Sequence, residues 1–257
     1  MSARLGPVAV LAIVLGIVFF LTPLIVTFAF SLWEGGDRYG FAAYRSLVGD
    51  PDLWASLLLS LRLAAETMLL GMVLLVPSMI FVHLKAPGLK PLFEFIAALP
   101  FVVPAIALVA GLSALYTGPA WLIGTPNYLV IPYFFLALPY AYRAIDVGLS
   151  AIDVRTLTDA AHSLGAGWGQ VFRLVLLPNL STALLGATLL TLTIVMGEFT
   201  FASVLLFKTF AVYINDTGSS KVTEAAALSL LSFVITWAAM LGVLLTGRNT
   251  TDLGGTH

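Results

Sequence analysis

The sequence has 257 residues, of which 60% are hydrophobic and 10% charged, and its formal net charge is −1. Soluble domains carry about 25% charged residues, so this composition, with a mean hydropathy of +1.03, predicts an integral membrane protein. The near-neutral charge argues against a nucleic-acid partner. The absence of cysteine excludes disulfides and thiolate metal clusters.

The first apolar stretch covers residues 8–33, and only Thr22, Thr27 and Ser31 interrupt it. It is long enough to cross about 30 Å of hydrocarbon and too long for the apolar region of a signal peptide. We therefore predict a retained first span. Residues 34–54 are polar and aromatic, and they predict an outer loop with a short interfacial helix near residues 41–47.

Five further apolar stretches predict five more spans. They cover residues 55–83, 92–116, 128–142, 181–207 and 222–245. The expected fold is all-α, with six transmembrane helices. The predicted domains are residues 1–54, a core of residues 55–245 that contains a loop at 153–180, and a cytoplasmic tail at 246–257. The tail is polar, and we expect it to be disordered.

Prolines interrupt the third and fourth predicted spans at Pro100, Pro104, Pro132 and Pro139. Each removes a helix hydrogen bond and favours a kink. Pro100 and Pro104 share a helix face, which suits a bent helix that forms a gate. Prolines are also tolerated in spans whose neighbours satisfy the freed carbonyls, and the sequence does not separate these two readings.

Lysine and arginine are unequally divided between the two sides of the predicted spans. With the N-terminus inside, the inner residues are Arg4, Lys85, Lys90, Arg143, Arg155, Arg173 and Arg248, and the outer ones are Arg38, Arg45, Lys208 and Lys221. Positive charge concentrates on the cytoplasmic side of membrane proteins. We therefore predict that both termini, and the loop at 153–180, are cytoplasmic.

The loop at 153–180 has the pattern of two helices joined by a glycine. Thr156 followed by Asp159 has the form of a capping box, which predicts a helix start near Leu157. Gly165 is placed to end this helix, because glycine takes a positive φ without steric cost.

A second helix is predicted to start near Gly167 or Trp168 and to be limited by Pro178. The result is a helix–glycine–helix elbow (residues 153–180) that protrudes between two spans. Such an elbow is placed to press on a soluble partner. The alternative is a pair of amphipathic helices lying on the lipid headgroups, but the elbow has few of the lysines and arginines that this needs.

The elbow keeps a pattern of fixed intervals. Asp159-Ala160-Ala161 is followed after three residues by Gly165, and then by Val175 and Leu177-Pro178. This resembles the cytoplasmic EAA loop of ABC importer permeases, in which Glu and Ile stand where this chain has Asp159 and Val175. The resemblance extends over about residues 54–245.

The resemblance implies the type I ABC importer permease fold and a multi-pass protein of the inner membrane. It also implies three kinds of partner: an ATPase dimer, a second permease that is the same or homologous, and an extracytoplasmic substrate-binding protein. The residues implied to contact the ATPase are Thr156, Asp159, Ala160, Ala161, Ser163, Gly165, Ala166, Leu177 and Pro178.

No catalytic residue, metal site or cofactor is expected in this chain. No glycine is followed by lysine, so the phosphate-binding motif of ATPases is absent, and ATP hydrolysis should occur in a separate chain. The three histidines, His83, His162 and His257, are too scattered to indicate a metal site. An intramembrane hydrolase is also excluded, because the interiors of the predicted spans hold no histidine to act as a base.

Two stretches, together with part of the elbow, indicate one branch of this family. Residues 99–112 (LPFVVPAIALVAGL) and 136–145 (LALPYAYRAI), with Ser163-Leu164-Gly165-Ala166, resemble the branch that moves polyamines, phosphonates, oxyanions and ferric iron. The expected function is therefore to form the translocation path of a small polar solute.

Charged residues inside spans are costly and suggest function. Arg62 and Glu66 are four residues apart and are expected to pair, as are Lys90 and Glu94. Glu198 has no basic residue within a turn along the chain.

Glu198 shares a helix face with Thr191 and Thr188, and this polar stripe is the candidate translocation path. An acidic path would favour a cationic or zwitterionic solute such as a polyamine. Two alternatives stay open: Glu198 forms a buried pair with Arg62 or with another subunit's cation, or the chain is a stand-alone secondary transporter or channel with proton-coupled Glu198.

Overall fold

The computed structural model describes residues 6–114, 118–119 and 121–252, with side chains up to residue 245. Its helices include five that are long and apolar enough to cross a membrane, Pro7–Ser31, Pro51–Lys85, Pro126–Ser150, Ser181–Val204 and Val222–Leu245. A sixth span results if the bent pair Pro87–Val102 and Ala105–Ala114 is counted as one. The all-α fold predicted from the sequence is confirmed.

The helices follow in chain order. They are α1 (Pro7–Ser31), α2 (Ala42–Val48), α3 (Pro51–Lys85), α4 (Lys90–Val102), α5 (Ala105–Ala114), α6 (Val130–Ser150), α7 (Val154–Ser163), α8 (Trp168–Gln170), α9 (Leu177–Asn179), α10 (Ser181–Gly197), α11 (Thr200–Val204), α12 (Phe210–Ser220) and α13 (Val222–Asp252). Short 3₁₀ turns lie at Pro87–Leu89 and Pro126–Leu129, and a π-helix lies at Val171–Leu176.

The described residues divide into two compact units. The first contains the chain up to Ala55 together with Tyr213–Ile235. Within it, α2 confirms the short helix predicted near residues 41–47. The Tyr213 hydroxyl donates a 2.6 Å hydrogen bond to Asp50, and burial together with this bond raises the pKa of Tyr213 to about 12.

A small antiparallel hairpin, Trp33–Gly35 with Arg38–Tyr39, precedes α2 in this unit. This hairpin was not predicted from the sequence. Gly35 and Gly36 both take positive φ at its turn, which glycine allows without steric cost.

The second unit contains Ser56–Val212 and the remainder of α13. Its core is built on α6 and α10, which approach each other closely at Gly148. A Cβ on Gly148 would lie 2.3 Å from the Cβ of Ala183. Small residues of this kind allow two membrane helices to pack backbone against backbone.

The third predicted span is not a continuous helix. The chain bends by 99° between α4 and α5. Val103 is extended, as expected for a residue before proline, and Pro104 has no N–H to continue the helix. The rest of this predicted span, at residues 115–116, lies outside the described residues.

The predicted end of the fourth span, at residue 142, is wrong, because α6 continues to Ser150. Asp146, in this additional part of α6, is buried and paired. Its carboxylate lies 2.9 Å from the Lys90 ammonium and 3.4 Å from His83 Nε2. The predicted pair of Lys90 with Glu94 is therefore also wrong, since Lys90 contacts α6 instead.

Three other predicted boundaries differ from the structure. Helix α3 begins at Pro51 rather than at residue 55, since proline suits a first helical position and Asp52 follows it in the first turn. The predicted loop at 208–221 contains α12. Helix α13 runs to Asp252, so residues 246–252 are helical where disorder was expected, and residues 253–257 lie outside the described residues.

Candidate functional site: the elbow

The first helix of the elbow, α7, is capped by Asp153. The Asp153 carboxylate accepts hydrogen bonds from the Thr156 N–H at 3.0 Å and from the Thr156 hydroxyl at 2.7 Å. These bonds, the backbone one above all, lower the pKa of Asp153. The predicted capping box at Thr156 and Asp159 is wrong, because a carboxylate three residues before Thr156 caps the helix first.

The glycine corner predicted at the end of α7 is confirmed. Gly165 has a φ of +85°. Its N–H donates to the His162 carbonyl at 2.9 Å, and the Ala166 N–H donates to the Ala161 carbonyl at 3.0 Å. This pair of bonds defines a Schellman motif, which requires the left-handed conformation at the residue after the helix. No atom lies within 4 Å of a Cβ built on Gly165, so the backbone angle alone requires glycine there.

The second helix begins at Trp168 as predicted, after Gly167, whose N–H donates to Gln170 Oε1 at 2.9 Å. Pro178 was expected to limit this helix, and that prediction is wrong. The chain widens into a π-helix at Val171–Leu176 and continues through α9. The wider turns before Pro178 accommodate a residue that has no N–H to donate and whose ring crowds the preceding turn.

The elbow has one buried and one exposed face. Val154, Ala161, Val171 and Leu176 belong to the core cluster of the second unit. Of the predicted contact residues, Ala161 is buried and Ala166 and Leu177 are partly buried. The exposed ones are Thr156, Asp159, Ala160, Ser163, Gly165 and Pro178.

Leu164, directly after the first elbow helix, is 90% exposed. Leu164 is not among the contact residues predicted from the sequence. The sequence did contain a signal for this contact residue, because Leu164 is apolar and stands directly before the glycine corner. The left-handed turn places this end of the helix at the tip of the elbow.

Two side-chain contacts join the elbow to the end of α3, and a third lies within the elbow. The Arg155 guanidinium donates to the Leu84 carbonyl at 3.3 Å, and the Lys85 ammonium lies 5.5 Å from the centre of the Trp168 ring. The His162 ring meets the same tryptophan edge to face at 4.7 Å. His162 therefore packs within the elbow, and the described residues contain no group of three or more acidic, histidine or cysteine side chains that could hold a metal ion.

Glu198 lies at the break between α10 and α11 rather than inside one helix. It is 8% exposed, and its carboxylate accepts a 3.0 Å hydrogen bond from the Phe201 N–H at the start of α11. The Tyr133 hydroxyl of α6 lies beside it, and the Thr209 side chain lies beside that hydroxyl. The carboxylate therefore caps a short helix and contacts a neighbouring span.

The two threonines of the candidate path and Arg62 have partners of their own. The hydroxyls of Thr191 and Thr188 donate to carbonyls one turn back in α10. Arg62 pairs with Glu66 at 3.2 Å, as predicted, and also donates to Asn127. The alternative pairing of Glu198 with Arg62 is therefore not the arrangement found.

A family model described as the inner membrane component of binding-protein-dependent transport systems matches residues 69–248, more than half of the chain. The chain belongs to this family. It is a multi-pass permease of the inner membrane, and members of the family are the membrane components of ABC importers rather than enzymes. The alternative of a stand-alone secondary transporter is set aside by this membership.

Two solved structures are similar to the permease over 94% of both chains. One is a bacterial ABC transporter involved in the import of the acidic polysaccharide alginate, with a TM-score of 0.66 and 15% identity. The other is the bacterial alginate transporter in complex with an alginate pentasaccharide-bound periplasmic protein, with a TM-score of 0.65 and 16% identity. At this identity the likeness establishes the type I importer permease fold alone. No curated protein matches the chain.

Proposed function

We propose that the permease forms the translocation path of a small polar solute, and that the exposed face of its elbow docks on a separate ATPase subunit. The solute would be delivered by an extracytoplasmic binding protein, and a second permease, the same or homologous, would complete the path. The observation that carries the proposal is the elbow, an exposed helix end whose corner is fixed by Gly165.

The elbow is suited to transmit a displacement from a bound partner to the membrane spans. Its exposed residues, Asp159, Ser163 and Leu164, are available to a soluble partner. Its buried residues pack in the same cluster as side chains of α3, α6 and α10. Because packed interiors are dense and resist compression, a displacement of the exposed face should move these spans.

The elbow is proposed to lie in the cytoplasm, together with both termini. The support is the excess of lysine and arginine on that side of the spans. An ATPase that uses cytoplasmic ATP can then reach the elbow.

The solute is proposed to be a polyamine, phosphonate, oxyanion or similar small molecule, with Glu198, Thr191 and Thr188 along its path. The support is the break in the fifth span at Glu198, since interrupted helices at membrane depth are tolerated where they are buried in protein or line a cavity. A carboxylate there favours a cationic or zwitterionic solute such as a polyamine. The fold neighbour imports an acidic polysaccharide, but 15% identity does not carry that substrate over.

The decisive experiment replaces Gly165 with valine and, as a matched control, with asparagine. Neither side chain meets an atom near its Cβ, so the two variants differ in their tolerance of positive φ. Valine should strain the corner by about 1–2 kcal/mol, whereas asparagine takes this conformation more readily.

The measurements are co-purification of the ATPase and ATP hydrolysis stimulated by the binding protein. We expect both to fall for Gly165→Val and to be largely kept for Gly165→Asn. Normal assembly and stimulated hydrolysis in Gly165→Val would refute the docking role.

A further inference from the structure

An apolar hollow lies between the end of α3 and the elbow. It has a volume of about 540 Å³. Pro77, Phe81 and Leu84 of α3 form one wall, and Trp168 and Phe172 form the other. Phe81 and Trp168 are each about half exposed. The described chain therefore leaves this hollow open to a partner.

The position of the hollow favours a lipid over a soluble protein. Its α3 wall, from Pro77 to Lys85, is the last part of a helix long and apolar enough to span the membrane. At 1.5 Å per residue this wall is about 12 Å deep along the helix. A soluble partner would have to enter the bilayer to fill it, whereas an acyl chain is already there.

The mouth of the hollow carries positive charge. Lys85 ends α3 there, with its ammonium over the Trp168 ring. A second, adjoining hollow of about 500 Å³ shares Gly169 and contains Arg173. Among the described residues that line the two hollows there is no carboxylate. An ammonium, a guanidinium and an interfacial tryptophan at the end of an apolar groove match an anionic headgroup above an acyl chain.

We propose that these two hollows bind one anionic phospholipid from the leaflet on the elbow's side of the membrane. Its acyl chain occupies the groove between Phe81 and Phe172, and its phosphate is bound by Lys85 and Arg173. None of the residues that line the two hollows is among those proposed to contact the ATPase, so the site is argued on separate residues.

The bound lipid contacts the elbow directly through Trp168 and Phe172. It therefore joins the elbow to α3 alongside the Arg155 hydrogen bond to Leu84. Transport by this permease should consequently depend on the anionic lipid content of the membrane as well as on its partners.

The test uses the assembled transporter in lipid nanodiscs and measures quenching of tryptophan fluorescence by brominated lipids. The contribution of Trp168 is the difference between the wild type and Trp168→Phe. Brominated phosphatidylglycerol should quench this contribution more strongly than brominated phosphatidylcholine at equal mole fraction. Each of the two cations should account for about fivefold of the preference, the factor that corresponds to about 1 kcal/mol for a basic residue at an anionic surface.

Two sets of variants make the test specific. Lys85→Gln with Arg173→Gln should abolish the preference for the anionic lipid, whereas Arg143→Gln, which removes an exposed charge from α6 outside the two hollows, should leave it intact. Gly169→Leu should fill the groove and lower quenching by both lipids, since open space surrounds a Cβ at that position and the fold should tolerate the side chain.

Two outcomes would overturn the proposal. Equal quenching by both lipids would show that the hollow contacts lipid without recognising the headgroup. An absence of quenching by either lipid in the assembled transporter would mean that the ATPase or the second permease covers the hollow.

Discussion

At the residue scale, the permease uses its buried charges to join helices. Asp146 of α6 contacts Lys90 at the start of α4 and His83 near the end of α3. Helical spacing predicted a Lys90–Glu94 pair, because a sequence shows neighbours along one helix and not those on another. For Arg62 and Glu66 the neighbour on the same helix was the true partner, and that pair was predicted.

Lys90→Met should destabilise the permease, because it leaves the buried Asp146 carboxylate without its closest cation. The expected loss is about 1–3 kcal/mol, at the lower end because the Lys90 side chain is partly exposed. Thermal unfolding of the detergent-solubilised permease measures it. Adding Asp146→Asn should recover much of the loss. Lys221→Met, which removes an exposed pair with Glu224, should have little effect, and equal losses in Lys90→Met and Lys221→Met would contradict the assignment.

Glu198→Gln separates the two roles open to this residue. The amide oxygen of glutamine still accepts the Phe201 N–H, so the start of α11 should keep its cap and the melting temperature should change little. If the charge acts on the solute, binding-protein-stimulated transport should fall. Tyr133→Phe serves as the control, because it removes the neighbouring hydroxyl and keeps the carboxylate. Transport at the wild-type level in Glu198→Gln would leave Glu198 with a structural role only.

At the element scale, the sequence correctly predicted features that depend on only a few neighbouring residues. The Gly165 corner and the Trp168 helix start follow from backbone preferences within a few residues, and both are confirmed. The end of α6 follows a buried pair between Asp146 and Lys90 of another helix, so the sequence misplaced it. The break at Glu198 was not predicted either. The fit of Gly148 against α10 also depends on tertiary contact, which sequence spacing does not show.

Gly148→Ala should weaken the packing of α6 against α10. The new methyl group would lie 2.3 Å from the Ala183 Cβ, so the two helices must separate, and overpacking of this kind costs about 1–3 kcal/mol. Gly186→Ala is the matched control, since nothing lies within 4 Å of a Cβ there. Thermal unfolding of the three proteins should rank Gly148→Ala as the least stable. Ala183→Gly in the Gly148→Ala background should restore stability, and failure to do so would point to a cause other than this contact.

At the scale of the whole molecule, composition predicts that the chain crosses the membrane. It predicts the number of crossings less well. Within the described part of the chain, five helices meet the length and hydropathy of a span, and a sixth span depends on whether the pair bent by 99° after Val102 crosses or re-enters. A window of apolar residues cannot distinguish these cases, because both are equally apolar. The side of the membrane on which the elbow lies therefore has to be measured.

The permease contains no cysteine, so single introduced cysteines report the topology without background. Asp37→Cys and Asp216→Cys, at exposed positions, should react in intact cells with a thiol reagent that does not cross the membrane. Gly88→Cys, in the exposed turn between α3 and α4, should react only after the cells are permeabilised, because Lys85 and Lys90 on either side favour the cytoplasm. No clash or backbone strain is expected at Gly88, where a Cβ meets open space. Labelling of Gly88→Cys in intact cells together with silence at Asp216→Cys would reverse the orientation, and the elbow would then be out of reach of a cytoplasmic ATPase.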